Sequence, residues 1–266
     1  MKSLRAYEIV EYVKERKFCS LNELMEKFGV STATIHRDVA SLVRSSRLRK
    51  VHGGVAAVAP EAALPPHIAD HYRERLQNRC EEKLAIAEKA LAEIEDGDIL
   101  FLDSSTTVYY LGRLLQRSNF ANLTLVTNSM LIIQEFPLFP ANYFLIALGG
   151  NYDLQLNAFL GQATLRELER LSIDKSFLSA LGMTPDGISS RHENHALFLR
   201  RVLELSRRNH LLLSSDKFDK SGIFRIAPLS RIDRLISDAP SPGYFYGRSL
   251  KFESLSRNDG RDGRER

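Results

Sequence analysis

The chain has 266 residues, 44% of them hydrophobic, and a formal net charge of +4. That length accommodates two domains with their own cores, and two distant cysteines, Cys19 and Cys80, exclude a disulfide framework or a CxxC metal or redox site. No apolar run approaches the roughly 18–20 residues of a membrane span, and the first residues lack the apolar core of a signal peptide, so a cytoplasmic protein is expected.

Charge is unevenly spread. Residues 1–55 hold eleven Lys/Arg and six Asp/Glu, so the positive excess sits at this end and the remainder is close to neutral. A local positive excess suits phosphate neutralisation.

In chain order, Leu4, Tyr7, Ile9, Val10 and Val13 recur at helical spacing and predict a helix over 4–16. Ser20, with Glu23 three residues on, has the capping-box pattern and opens a second helix to about Phe28. Gly29 suits the left-handed turn that ends it. Ser31 is placed to cap a third helix, whose apolar face is Ile35, Val39 and Leu42. Thr32, Thr34, His36 and Arg37 fall largely on its other faces. A basic segment then leads to Gly53 and Gly54, a turn suited to a β-wing.

A short helix pair followed by a basic hairpin is a DNA-reading layout, with the helix-turn-helix over about Ser20 to Val39. On that reading Ser31, Thr32, Thr34, His36 and Arg37 approach bases and phosphates. Arg49, Lys50 and His52 grip the backbone beside the groove. A capped surface helix with solvated charges accounts for the same spacing.

Residues 58–74 read as a linker, rich in Ala and Pro at its start and stiffened at Pro65-Pro66. Residues 79–95 read as helical. Strands are then expected at 99–102, 123–126, 143–148, 176–181, 211–213 and 234–237. Helices are expected at 106–115, 129–136, 158–171 and 196–207. Such alternation predicts an α/β domain over 75–240, a parallel sheet with helices on both faces. The polar tail, 241–266, reads as disordered.

Two predicted strand ends carry similar chemistry. Asp103, Ser104, Ser105, Thr106 and Thr107 lead into one helix; Thr127, Asn128 and Ser129 lead into another. A helix N-terminus presents free N–H groups that bind anions. Neighbouring parallel strands would bring both turns to the carboxyl edge of the sheet, where open α/β folds bind ligands. Helix capping alone explains the same residues. Gly149, Gly150, Asp174 and Lys217 are further candidates on later loops; Lys217 could neutralise a phosphate.

The chain resembles the DeoR family of bacterial transcriptional regulators. Residues 4–56 are similar to its DNA-binding domain at Leu21–Leu24, Phe28–Ser31, Thr34-Ile35, Arg37-Asp38, Leu42 and Val51–Gly54. Residues from Arg75 to Asp238 are similar to its effector domain. The matches there are Glu82-Lys83, Ile86-Ala87, Leu102–Ser104, Thr106-Thr107, Val126–Ser129, Gly149-Gly150, Gly161, Asp174-Lys175 with Phe177, and Ser215–Phe218. The resemblance implies a small winged helix-turn-helix over 1–57 and a sensor similar in fold to ribose-5-phosphate isomerase and CoA transferases. It implies a regulator, a repressor above all, that binds an operator in double-stranded DNA as a homodimer or homotetramer. The implied effector is a phosphorylated sugar or sugar acid, with no cofactor and no metal. Four positions depart from the family pattern: His36 replaces an arginine, Ser105 a glycine, His195 a glutamate and Leu199 a lysine.

Two other readings stay open at this stage. The sensor could be degenerate and effector-insensitive, given Ser105, His195 and Leu199. A sugar-phosphate isomerase-like enzyme would need a carboxylate base, for which Asp103, Asp174 and Glu193 are the candidates. His192 and His195 lack HExxH spacing and belong to a helix entry.

Overall fold

The structure, a computed structural model, describes residues 2–16, 18–44, 48–51, 53–57, 68–245 and 251–253. The chain divides into two compact units, residues 1–68 and 69–266.

The first unit runs α1 (Lys2–Arg16), β1 (Phe18–Ser20), α2 (Leu21–Phe28), α3 (Thr32–Arg44), β2 (Leu48–Val51) and β3 (Gly54–Ala57). Its strands form an antiparallel sheet in the order β1-β3-β2. Ser20 Oγ accepts the Glu23 N–H at 3.1 Å, and Gly29 closes α2 in the left-handed conformation. Only half of the capping box forms, because the Glu23 carboxylate accepts from Arg16 at 3.0 Å and Tyr12 at 3.3 Å instead. Ile9, Val13, Leu24, Ile35, Leu42, Leu48 and Val55 close a single small core. Cys19 belongs to it, fully buried and unoxidised.

The second unit opens with α4 (Asp70–Gln77) and α5 (Cys80–Leu91). There follow β4 (Ile99–Leu102), α6 (Thr106–Leu115), β5 (Thr124–Thr127), α7 (Met130–Glu135) and β6 (Phe144–Ala147). A hairpin, β7 (Asn151–Asp153) and β8 (Ala158–Leu160), leads to α8 (Gln162–Leu168) and β9 (Ile173–Leu178). The remainder is β10 (Gly182–Thr184), β11 (Gly187–Ser190), α9 (Glu193–Leu205), β12 (Ser206–Leu212), β13 (Phe224–Ala227), β14 (Arg234–Ile236) and β15 (Lys251–Glu253). The main sheet has the order β15-β14-β12-β9-β4-β5-β6, all parallel. Phe101 of β4 packs against Phe198 of α9. Leu100 and Leu102, which alternate with Phe101, point to the other face of the sheet. The expected α/β architecture is therefore present.

Several boundaries differ from the periodicity. The segment 158–171 is not one helix: Ala158–Leu160 pairs with Asn151–Asp153 as a hairpin, and the helix starts at Gln162. The helix expected at 196–207 ends at Leu205, because Ser206–Leu212 is claimed by pairing between β9 and β14. The strand expected at 176–181 lies at Ile173–Leu178. A second antiparallel sheet, β10-β11-β13, has no counterpart in the sequence reading. Within the segment read as linker, residues 70–74 are helical because Tyr72 and Leu76 of α4 are buried. Within the segment read as tail, Lys251–Glu253 pairs with β14.

Candidate functional site

In the first unit, α3 turns Ile35, Val39 and Leu42 inward and leaves Thr32, Ala33, His36, Arg37 and Ala40 exposed. Ser31 is exposed; its carbonyl accepts the Thr34 and Ile35 N–H groups. Its hydroxyl pairs with the half-buried Thr34 hydroxyl at 3.0 Å, so Thr34 is partly committed to the helix start. Asp38 is tied to Arg5 of α1 at 2.8 Å, which leaves Arg37 as the outward member of the Arg-Asp pair. Lys50 is exposed on β2. Arg49 sits on the same strand, but its side chain, like the whole of His52, lies outside the described residues. The exposed alanines 33 and 40 let a partner surface approach the helix closely, a feature the polar candidates obscured.

In the second unit, a cleft of about 500 Å³ opens at the carboxyl edge of the sheet. Ser104, Ser105 and Thr106 line it at the N-terminus of α6, beside Ser179 at the end of β9 and Lys217 beyond β12. Ser105 takes φ −69° and its hydroxyl accepts the Val108 N–H at 3.3 Å. The turn therefore needs no glycine there, and the serine supplies the cap. Asp103 lies beneath the floor, fully buried. Its two oxygens accept from Ser105 N–H at 2.7 Å and Ser179 N–H at 2.9 Å. Burial pushes its pKa up to about 6, against those hydrogen bonds. Lys217 reaches Ser179 Oγ at 3.3 Å. Burial lowers its pKa, and Asp216 and Asp103 partly restore it.

The other wall comes from residues that the sequence reading did not assign to the site. Arg75 of α4 lies over the Tyr72 ring and donates to the Gln155 carbonyl at 2.9 Å. Neither Arg75 nor Lys217 makes an ion pair with a carboxylate among the described residues, although both line the cleft. Arg79 also lines it, but Glu82, Asp216 and Asp238 surround its guanidinium at 3.0–3.1 Å. Lys83 donates to the Arg75 and Asn78 carbonyls and so pins the α4–α5 junction; burial lowers its pKa to about 8. Ser190, Arg191, His192 and His195 also line the cleft, as do the carboxylates Glu74 and Asp216, the latter paired with Arg79. The signal for this wall was the basic spacing of Arg75, Arg79 and Lys83, four residues apart.

The remaining candidates lie elsewhere. Thr107 is buried in α6 behind the lining. Thr127 donates to the Leu102 carbonyl at 2.6 Å and accepts the Ser129 N–H at 3.0 Å. Asn128 exchanges bonds with the Phe159 backbone at 2.8 and 3.1 Å. This second turn is buried and anchors the β7–β8 hairpin. Gly149 bonds α8 through Glu167 and Thr164, at 2.9 and 2.7 Å, with Gly150 beside it. Asp174 sits at the opposite, amino edge of the sheet. There its carboxylate accepts from Ile99 N–H and Arg207, each at 3.0 Å. Its place at the start of β9, rather than past a strand end, removes it from the cleft. Leu199 is fully buried in the core of the unit.

A family model described as the DeoR C terminal sensor domain matches residues 78–239, and one described as a DeoR-like helix-turn-helix domain matches residues 5–61. The chain belongs to the DeoR family. DeoR-family relatives include the HTH-type transcriptional regulator IolR of Bacillus subtilis, 32% identical over 90% of this chain and 92% of its own length. The glycerol-3-phosphate regulon repressor of Escherichia coli is 29% identical over 88% and 90%. The L-fucose operon activator of Haemophilus influenzae is 30% identical over 88% and 91%. This DeoR-family chain is thus a DNA-binding transcriptional regulator. Among solved structures, ribose 5-phosphate isomerase A from Methanocaldococcus jannaschii aligns at a TM-score of 0.37 and 14% identity. That alignment covers 51% of this chain and 53% of the other. Among the described residues no helix is long and apolar enough to cross a membrane, and no group of three or more His, Cys, Asp or Glu is placed to hold a metal.

Proposed function

We propose that this regulator is a cytoplasmic repressor whose operator affinity is set by a phosphorylated sugar or sugar acid bound in the cleft of the second unit. One observation carries the reading: Arg75 and Lys217 line the same cleft as the α6 N-terminus, and neither is neutralised by a carboxylate ion pair among the described residues. Two such cations and a helix N-terminus make a site for a dianionic group. Ser105 supports an intact sensor, since it caps α6 without a strained backbone. The relatives named for a glycerol-3-phosphate regulon and an L-fucose operon support a carbohydrate-derived effector, while their names include both a repressor and an activator.

On this reading Thr32, His36, Arg37 and the wing residues Arg49, Lys50 and His52 contact DNA. A homodimer or homotetramer then spans half-sites about one helical turn, or a multiple, apart. An isomerase has less support. Asp103 is held by two N–H groups beneath the floor, Asp174 lies at the far edge, and Glu193 is exposed.

The test is calorimetric titration of inorganic phosphate and phosphorylated sugars into the full chain and its Lys217→Ala variant, with operator binding followed by fluorescence anisotropy. Binding that vanishes in the variant while operator affinity persists is expected. Equal binding by both proteins would move the effector site out of this cleft.

A further inference from the structure

His195 stands on the first turn of α9 and lines the cleft. Its Nδ1 is 3.3 Å from Ser190 Oγ. That oxygen already accepts the His192 N–H at 3.1 Å. A serine oxygen has two lone pairs, so after accepting from His192 it can still accept from Nδ1 or donate to it; where it donates, the neutral ring carries its own proton on Nε2. Burial keeps the ring neutral at physiological pH, with the pKa pushed down to about 4 and with His192 and Arg75 acting in the same sense. Nε2 is buried and has no partner within the protein among the described residues. Buried polar ring atoms are almost always paired; Nε2 belongs to a residue that lines the cleft, and in the Nε2–H tautomer it lacks an acceptor from the described residues.

The two walls of the cleft differ in chemistry. Lys217, Ser179 and the α6 N-terminus offer charge and oriented N–H groups at the sheet edge. In the Nε2–H tautomer Ser190 and His195 offer a single neutral donor from the β11–α9 turn. Arg75 acts electrostatically on both Lys217 and His195. A phosphate needs the first wall. A neutral donor adds little to phosphate affinity but discriminates strongly between ligands that do and do not place an oxygen against it.

We infer that His195 is a specificity-determining residue: its Nε2–H donates to an oxygen on the carbon chain of a phosphorylated polyhydroxy ligand, and Ser190 is the positioning residue that fixes the ring tautomer. The inference rests on the proposed effector reading of the same cleft. A neutral donor here serves a hydroxyl, carbonyl or carboxylate oxygen alike.

The experiment uses the full chain with inorganic phosphate, glycerol 3-phosphate, ribose 5-phosphate, 2-deoxyribose 5-phosphate and 6-phosphogluconate as probes. Lys217→Ala first establishes whether binding occurs in the cleft. If it leaves every affinity unchanged, the effector reading fails and this inference falls with it. If it abolishes binding, the His195 variants decide. His195→Leu is expected to weaken the best carbon-chain ligand by about tenfold or more while leaving inorganic phosphate unchanged. His195→Gln, which keeps an N–H near the Nε2 position, is expected to restore most of the loss. In the wild type, ring nitrogen chemical shifts are expected to report Nε2–H, and Ser190→Ala to populate the other tautomer. Unchanged affinity for the best ligand in His195→Leu, equal losses for that ligand and for phosphate, or an Nδ1–H ring in the wild type would each overturn the assignment.

Discussion

The Tyr72 hydroxyl donates to the Ser104 carbonyl at 2.9 Å, so the helix on which the chain enters the second unit is bonded to the turn that opens α6. Tyr72 is fully buried, and burial pushes its phenol well above the ordinary range. Three residues on, Arg75 of the same helix lines the cleft. A ligand that draws Arg75 or Ser104 toward it therefore pulls on α4, and α4 is reached directly from the segment that follows the DNA-binding unit. An effector regulates only if it binds two states unequally, and removing the Tyr72–Ser104 bond tests whether α4 takes part.

Tyr72→Phe is expected to keep the buried ring and remove this bond. The Ser104 carbonyl loses its partner, at a cost of about 1–3 kcal/mol in folding stability. Operator affinity without effector should stay close to wild type, and release by effector should need more ligand. Denaturant unfolding and an operator titration with and without effector check both halves. A full effector response in a destabilised variant would dismiss α4 as a relay.

Acid should destabilise the second unit. Burial holds His195 and His210 at pKa values of about 4, below the reference of about 6.5. Between these values the unfolded chain binds protons that the folded chain refuses, so stability falls as pH drops through that window. Asp103 runs the other way. Its raised pKa of about 6 means the folded chain takes up a proton first, which offsets part of the fall between about pH 6 and 4. Two groups against one leave a net acid loss. The urea midpoint is expected to be lower near pH 5 than near pH 7.5. His195→Gln should shrink the difference and Asp103→Asn should widen it. A midpoint independent of pH would contradict the burial of these groups.

The charged face of α3 and the Asp103–Thr107 turn were legible because each is local. Capping serines, a helical apolar stripe and a hydroxyl-rich turn after an apolar strand all lie within a few residues. What escaped depended on tertiary pairing. Ser206–Leu212 looked like the end of a helix until its neighbours in the sheet claimed it. A shift of three residues in the start of β9 carried Asp174 from an expected loop to the amino edge. Arg75 and His195 converge on one cleft from positions 120 residues apart in sequence, which no window along the chain can show. Thr127, Asn128 and Ser129 had the right composition for a ligand turn, but the β7–β8 hairpin covers them.

Gly54→Ala is expected to damage the first unit alone. Gly54 pairs with Ser20 across β1 and β3, and a Cβ there would collide with the Cys19 backbone carbonyl. Backbone cannot rotate away as a side chain can, so the strand pair must separate, at roughly 1–3 kcal/mol or more. Because the two units have their own cores, calorimetry should show a lowered transition for the first unit and an unmoved one for the second. Operator binding should fall while phosphate binding persists. Loss of both functions together would mean that the units do not fold independently.

Arg37 and Asp38 are neighbours with opposite tasks, and separate substitutions should show it. Asp38 holds Arg5 of α1 at 2.8 Å in a partly shielded pair. Asp38→Ala should lower the melting temperature and weaken operator binding only through lost folding. Arg37 is exposed, so Arg37→Ala should leave melting unchanged and weaken operator binding by about 1–3 kcal/mol. If Arg37 reads a base, preference at one operator position relaxes; if it holds a phosphate, affinity falls for all sequences and the salt slope drops by about 1. His36→Arg adds the missing cation of the family pattern on the same exposed face. It should steepen the salt dependence and raise affinity for unrelated DNA, because phosphate contacts carry no sequence information. Titrations at two or more salt concentrations with operator and scrambled duplexes separate these cases. An Arg37→Ala protein that binds its operator unchanged would place the reading surface on another face of the unit.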